Sequence, residues 1–133
     1  MSKKIILHVE DDADEAFILR RAFLKADLAY EIHQVTDGEQ AIAYLGGLAP
    51  FDQRGRHPLP QVILLDLKLP GKGGFEVLSW VRAQREFNGL PIIVLTSSDR
   101  PEDLRHAQAL GATAYLNKSV SCRNIIELLG TMA

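Results

Sequence analysis

A chain of 133 residues has the length of one domain, enough to bury a single core. Hydrophobic residues make up 47% and charged residues 24%, an ordinary globular composition. Fifteen basic against seventeen acidic residues leave a net charge of −2 and no polybasic block, so no nucleic-acid and no membrane partner is expected.

In chain order, Lys4 to Val9 has the apolar run of a short strand, and it leads straight into Glu10-Asp11-Asp12. The run is too short for a secretory signal, and no stretch approaches a transmembrane length. From Ala13 to Ala26 the pattern turns helical, with Ala16, Leu19, Phe23 and Ala26 on one face. Asp12 is placed to cap that helix, with Asp14 and Glu15 in its first turn. Tyr30 to Val35 alternates as a half-buried or edge strand does. Thr36-Asp37-Gly38-Glu39 opens a helix through Leu45 that Gly46-Gly47 closes.

Leu48 to Pro60 has prolines and no periodicity, a long loop for a connection of this kind. Val62 to Leu65 is a continuous apolar run of the sort a parallel sheet buries on both faces; it ends at Asp66, and a Pro/Gly-rich loop follows. A helix is predicted from Phe75 to about Phe87, with Val77, Leu78 and Val81 facing inward. Pro91 to Thr96 is another buried strand, followed by a helix from Pro101 to Leu110 that Gly111 ends. Ala114 to Asn117 is a fifth strand, running into Lys118, and Ser121 to Met132 is the last helix, with Ile125, Leu128, Leu129 and Met132 apolar. Cys122 is the single cysteine, which excludes an intrachain disulfide and points to a reduced, cytoplasmic protein.

Five strands alternating with five helices predict an α/β fold: a flavodoxin-like, doubly wound parallel sheet in the order 2-1-3-4-5. In that order the first and third strands are neighbours at the switch point, which brings Asp66 beside Glu10 and Asp11. Thr96 and Lys118 end the next two strands on the same rim. Three crowded carboxylates cannot all stay ionised without a cation, and Mg²⁺ suits oxygen ligands that leave a position for a phosphoryl oxygen. Thr96 and Lys118 supply a hydroxyl and a point charge suited to such oxygens, with Asp66 as nucleophile. Taken singly, Lys118 reads more often as a solvated lysine and Thr96 more often as a hydroxyl bonded to nearby backbone, while Glu10-Asp11-Asp12 reads as readily as helix N-terminal charge. Their joint occurrence at four strand ends favours a phosphoryl site.

The ordered set resembles the receiver domain of two-component response regulators over essentially the whole chain. The residues that carry the resemblance are Glu10-Asp11, Asp66 with Pro70 and Gly74, Thr96, Tyr115 and Lys118. It implies that Asp66 accepts a phosphoryl group from a sensor histidine kinase or phosphotransfer protein. It further implies Mg²⁺ on Asp11, Asp66 and the backbone carbonyl of Lys68, with Glu10 acting through a bound water. Thr96 and Lys118 contact the phosphoryl oxygens in such domains, Tyr115 is the rotamer switch, and Lys68 and Ser98 tune the lifetime of the adduct. The family usually has proline after the lysine, where this chain has Ser119. The lengthened connection Leu48–Pro60 is similar to that of stand-alone receivers, some of which work beside phytochrome-type sensor kinases.

The expected organisation is therefore one receiver domain over residues 1–133 without an output module, signalling through its own surface and catalysing only its own phosphorylation and dephosphorylation. The fourth helix, fifth strand and fifth helix form an expected homodimer face, to which Ile126 or Leu129 contributes if exposed. Two other classes stay open. One is a phosphatase-type hydrolase, against which Lys68 counts because such enzymes commonly place a second acid there. The other is a degenerate receiver serving only as a protein-binding module.

Overall fold

The computed structural model describes residues 4–26, 30–69, 71, 73–118 and 122–132, excluding the side chain of residue 132. Pro70, Ser119, Ser121 and the Lys118–Ser119 bond lie outside the described residues, as does the side chain of Met132.

Five strands, β1 (Lys4–Val9), β2 (Tyr30–Val35), β3 (Val62–Asp66), β4 (Ile92–Thr96) and β5 (Ala114–Asn117), form one sheet in the order β2-β1-β3-β4-β5. Every pairing is parallel, with Ile6 opposite Val62, Asp66 opposite Leu95 and Thr96 opposite Asn117. The helices α1 (Ala13–Lys25), α2 (Gly38–Gly46), α3 (Gly74–Ala83), α4 (Pro101–Ala109) and α5 (Cys122–Met132) alternate with the strands as the periodicity predicts. β3 and β4 are buried at every position, because each is covered on both faces. β2 lies at the sheet edge and only Val35 of it is fully buried, in keeping with its weak alternation.

The two faces of the sheet carry separate apolar clusters. Leu7, Val9, Ile63, Leu65 and Val94 pack with Tyr44, Leu45, Val77, Leu78 and Val81 of α2 and α3. On the other side Ile6, Leu64, Ile93 and Leu95 pack with Leu19 and Phe23 of α1 and Ile125 and Leu129 of α5. Alternate residues of one strand thus serve opposite layers, which the period of two requires. No helix among the described residues is long and apolar enough to cross a membrane.

Two sequence expectations are corrected, and the condition set on Leu129 is not met. Ala26 is the exposed C-cap of α1 and not part of its buried face, which is Ala16, Leu19 and Phe23. The third helix does not continue to Phe87: it stops at Ala83, Gln84 turns extended (φ −92°, ψ 119°), and a 3-10 turn covers Arg85–Phe87. The break lets Phe87 turn into the core, while the Arg82 guanidinium donates to the Phe87 carbonyl at 2.9 Å and to Gly111 O at 2.9 Å. Leu129 is only 1% exposed and packs under α5, so it offers nothing to a homodimer face; Ile126 is half-buried.

The long connection from α2 to β3 is organised by Arg54. Its guanidinium donates to the Tyr44 carbonyl at 2.7 Å, to Leu45 O at 2.9 Å and to His57 O at 3.1 Å. Two of these acceptors belong to the last turn of α2, where carbonyls lack helical partners and a positive charge is favoured. Tyr44 Oη donates to Pro58 O at 2.8 Å, and its ring meets Phe51 and His57. Arg54→Ala is expected to lower stability by about 1.5–3 kcal/mol, the worth of charged hydrogen bonds to half-buried carbonyls. Urea unfolding of the two proteins side by side measures it, and an unchanged midpoint would refute the clamp.

Candidate functional site

The acidic and basic residues meet at the C-terminal rim of the sheet because β1 and β3 are adjacent. Glu10 follows β1 and is 2% exposed, with its own N–H donated to Val35 O at 2.9 Å and its carbonyl accepting from Gln34 Nε2 at 2.9 Å. Asp12 accepts from the N–H groups of Asp14 and Glu15 at 2.9 and 3.1 Å, capping α1 as its position predicts. Asp66 ends β3 at 5% exposure, and its Oδ1 accepts from Lys68 N at 3.1 Å. Among the described residues, Glu10, Asp11 and Asp66 each offer a carboxylate oxygen, and these three atoms lie within 4.8 Å of one another. A small set of hard oxygens, part buried and part open to water, fits Mg²⁺ or another hard divalent ion.

Lys118 follows β5, with its N–H donated to Thr96 O at 2.7 Å. Its Nζ donates to Glu10 Oε1 at 2.9 Å, to Asp66 Oδ2 at 3.1 Å and to Glu15 Oε2 in a shorter contact. Thr96 is fully buried, and its hydroxyl oxygen accepts from Ser98 N at 3.2 Å. Ser98 Oγ donates to Asp103 Oδ2 at 2.6 Å and accepts from Arg100 N at 3.2 Å, tying the strand end to the start of α4. Tyr115 is half-buried on β5, and its hydroxyl donates to Ser98 O at 3.4 Å. The side chain of Lys68 is exposed. Glu10, Asp11, Asp66, Thr96 and Lys118 therefore lie at strand ends on one rim, whereas Tyr115 lies inside β5 opposite Val94. Glu15 is the member that the sequence pattern left as helix N-terminal charge.

Gly74 explains the tight exit from β3. A Cβ there would lie 2.4 Å from Asp66 O and 2.6 Å from Leu67 Cα, and the Gly74 N–H donates to Leu67 O at 3.0 Å. The N-terminus of α3 is thus pressed against the backbone that carries Asp66.

A family model described as the response regulator receiver domain matches residues 6–130. The chain belongs to that family. Among relatives of this receiver, the probable methanogenesis regulatory protein FilR2 of Methanothrix harundinacea is 36% identical over 121 residues, 91% of this chain and 76% of that protein. Response regulator Rcp1 of Synechocystis sp. is 29% identical over 126 residues, 95% of this chain and 84% of that one. The crystal structure of the Mn²⁺-bound form of Rcp1 superposes with a TM-score of 0.83, covering 97% of this chain and 91% of the other. The phosphorylated cyanobacterial phytochrome response regulator RcpA superposes at 0.84 with 28% identity, covering 98% and 91%. This receiver is thus similar to phytochrome-associated response regulators and is a two-component signalling domain of the phosphoacceptor class.

The receiver's electrostatics show why the rim wants a cation. Burial pushes the Glu10 carboxyl up to about 7, against the pull of Lys118 and with Glu15 and Asp66 adding to the rise. Burial and the Lys118 and Arg20 charges push His8 on β1 down to about 4, and its Nδ1 has no partner among the described residues. The signs oppose one another. Folded Glu10 keeps a proton that the unfolded chain has lost, so its contribution to stability falls as pH rises through about 7. His8 contributes above its unfolded value of 6.5 and loses that contribution as pH falls through about 4. With chelator present, Glu10→Gln is expected to exceed the wild type in stability by roughly 2 kcal/mol near pH 8, with the gap closing toward about pH 4.5. Urea midpoints of both proteins across that range check it, and a gap that widens on acidification contradicts it.

Proposed function

We propose that this receiver takes a phosphoryl group on Asp66 from a sensor histidine kinase or a phosphotransfer protein and signals through the change that follows at its surface. One observation carries the reading: Lys118 Nζ stands 3.1 Å from Asp66 Oδ2, within a cluster where Glu10, Asp11 and Asp66 oxygens lie within 4.8 Å. An Asp66 carboxylate oxygen attacks the phosphorus of a phosphohistidine, the P–O bond forms as the P–N bond breaks, and the imidazole leaves with a proton from water. Asp11, Asp66 and the Lys68 carbonyl would hold Mg²⁺, with Glu10 acting on it through water; a bound divalent ion would supply charge neutralisation at the phosphoryl oxygens. The Mn²⁺-bound form of Rcp1 and the phosphorylated form of RcpA support both parts by likeness.

Lys118 and Thr96 then bind phosphoryl oxygens, for which Thr96 gives up its bond from Ser98 N. Tyr115, which donates to Ser98 O, follows that movement inward. The surface of α4, β5 and α5 changes with it and serves a partner or a second copy, with the 36%-exposed Leu104 and half-buried Ile126 in place of the buried Leu129. The likeness to RcpA supports a phytochrome-type kinase as the donor, in a cytoplasmic setting that suits an unpaired Cys122. The receiver catalyses only its own phosphorylation and dephosphorylation.

Incubation with Mg²⁺ and phosphoramidate, followed by intact mass measurement, tests the proposal. The expected result is the gain of one phosphoryl mass, absent with EDTA. No gain, alongside tight partner binding, would leave the binding-module reading; continuous phosphate release from small phosphoesters would turn the assignment toward a hydrolase.

A further inference from the structure

An ammonium has three N–H donors, and three carboxylates take those of Lys118: Glu10 Oε1 at 2.9 Å, Asp66 Oδ2 at 3.1 Å and Glu15 Oε2. Two of the three belong to the acidic cluster that fits a divalent ion; Glu15, on the first turn of α1, does not. Lys118 and the ion therefore compete for Glu10 and Asp66, and two cations a few ångströms apart repel. A lysine on a flexible four-carbon stem relieves that repulsion by swinging into solvent unless something outside the cluster holds it.

We infer that Glu15 is a positioning residue for phosphoryl transfer, an anchor that keeps the Lys118 ammonium beside Asp66 while Glu10 and Asp66 serve the metal. The inference rests on the proposed role of Asp66. Its geometry is favourable: the Glu15 side chain is 43% exposed, so its charge needs little desolvation, whereas the Glu10 side chain is only 2% exposed. With Glu15 in place, Lys118 can yield its bonds to Glu10 and Asp66 and turn those N–H groups to the incoming phosphoryl oxygens.

The test compares Glu15→Gln with Asp14→Asn, a substitution at an exposed acid of the same turn that removes the same charge. Each is made alone and with Lys118→Met, and two quantities are read: the rate of phosphorylation by phosphoramidate in Mg²⁺, and Mg²⁺ affinity by calorimetry. Glu15→Gln is expected to weaken Mg²⁺ binding several-fold, because Lys118 then clings to Glu10 and Asp66 until the ion displaces it, and to slow phosphorylation roughly tenfold, because the displaced ammonium leaves the site. Asp14→Asn is expected to change either quantity by less than about twofold, since an exposed charge is screened. In the Lys118→Met background, Glu15→Gln is expected to add nothing beyond what Asp14→Asn adds. An unchanged or faster rate in Glu15→Gln overturns the anchor and makes Glu15 a restraint on Lys118. Equal effects of the two substitutions, or an effect that survives Lys118→Met, overturn it as well. If the wild type takes up no phosphoryl group, the role of Asp66 fails, and the calorimetric arm still decides whether Glu15 acts through Lys118.

Discussion

Asp66→Asn is expected to abolish the phosphoryl adduct while leaving the fold intact. The amide has nearly the same shape, and its oxygen can still accept the bond that Lys68 N gives at 3.1 Å. It has no anionic oxygen to form a P–O bond, so the loss is one of chemistry. The substitution also removes one of three carboxylates crowded within 4.8 Å, which lowers their mutual repulsion in the absence of metal. Stability in chelator is therefore expected to stay level or to rise by up to about 2 kcal/mol, even as the adduct vanishes. Intact mass after incubation with phosphoramidate and Mg²⁺, paired with urea unfolding, separates the two effects. A full-yield adduct on the variant would move the acceptor elsewhere.

Gly74→Ala is expected to produce the largest loss of stability of any single-methyl change at the rim, about 3 kcal/mol or more. The added Cβ would meet Asp66 O at 2.4 Å, Leu67 Cα at 2.6 Å and Asp66 C at 3.1 Å. All three are main-chain atoms of the β3 exit, so no side-chain rotation relieves the overlap. Either α3 lifts from the sheet or the turn after Asp66 shifts, and both disturb packing of Val77 and Leu78, which are fully buried. The second response also moves the Asp66 carboxylate, so weaker Mg²⁺ binding is expected with the stability loss. Denaturant unfolding and Mg²⁺ titration of the variant measure the pair; a stability change under about 1 kcal/mol would show that the contact is relieved without strain.

How much of this was legible beforehand follows from the kind of information each feature uses. β3 and β4 stood out because burial on both faces demands unbroken apolar runs, and both appear as such in Val62–Leu65 and Ile92–Leu95. Asp12 and Gly47 were readable as helix ends because capping is a local requirement; Gly47 has the positive φ of 69° that closes α2. The stop at Ala83 was not readable, because Gln84 to Phe87 carry no proline or glycine. What ends α3 is Phe87 entering the core and Arg82 bonding across to Gly111, 29 residues away. Ala26 fitted the helical period and yet is exposed, since it falls in the cap after the last turn that meets the sheet.

The order of local patterns along the chain determined the layers, the strand order and the set of residues at the rim, because βα alternation admits few right-handed windings. It also pointed to Glu10, Asp11, Asp66, Thr96 and Lys118 as companions. Only the folded chain decided what Lys118 touches. Its bond to Glu15 spans 103 residues, its bond to Asp66 spans 52, and its bond to Glu10 spans 108. Periodicity records which side of an element is buried, and that is a property of neighbours in sequence. Which charge finds which depends on how far each side chain reaches once the strands are in register, and no local pattern encodes that distance.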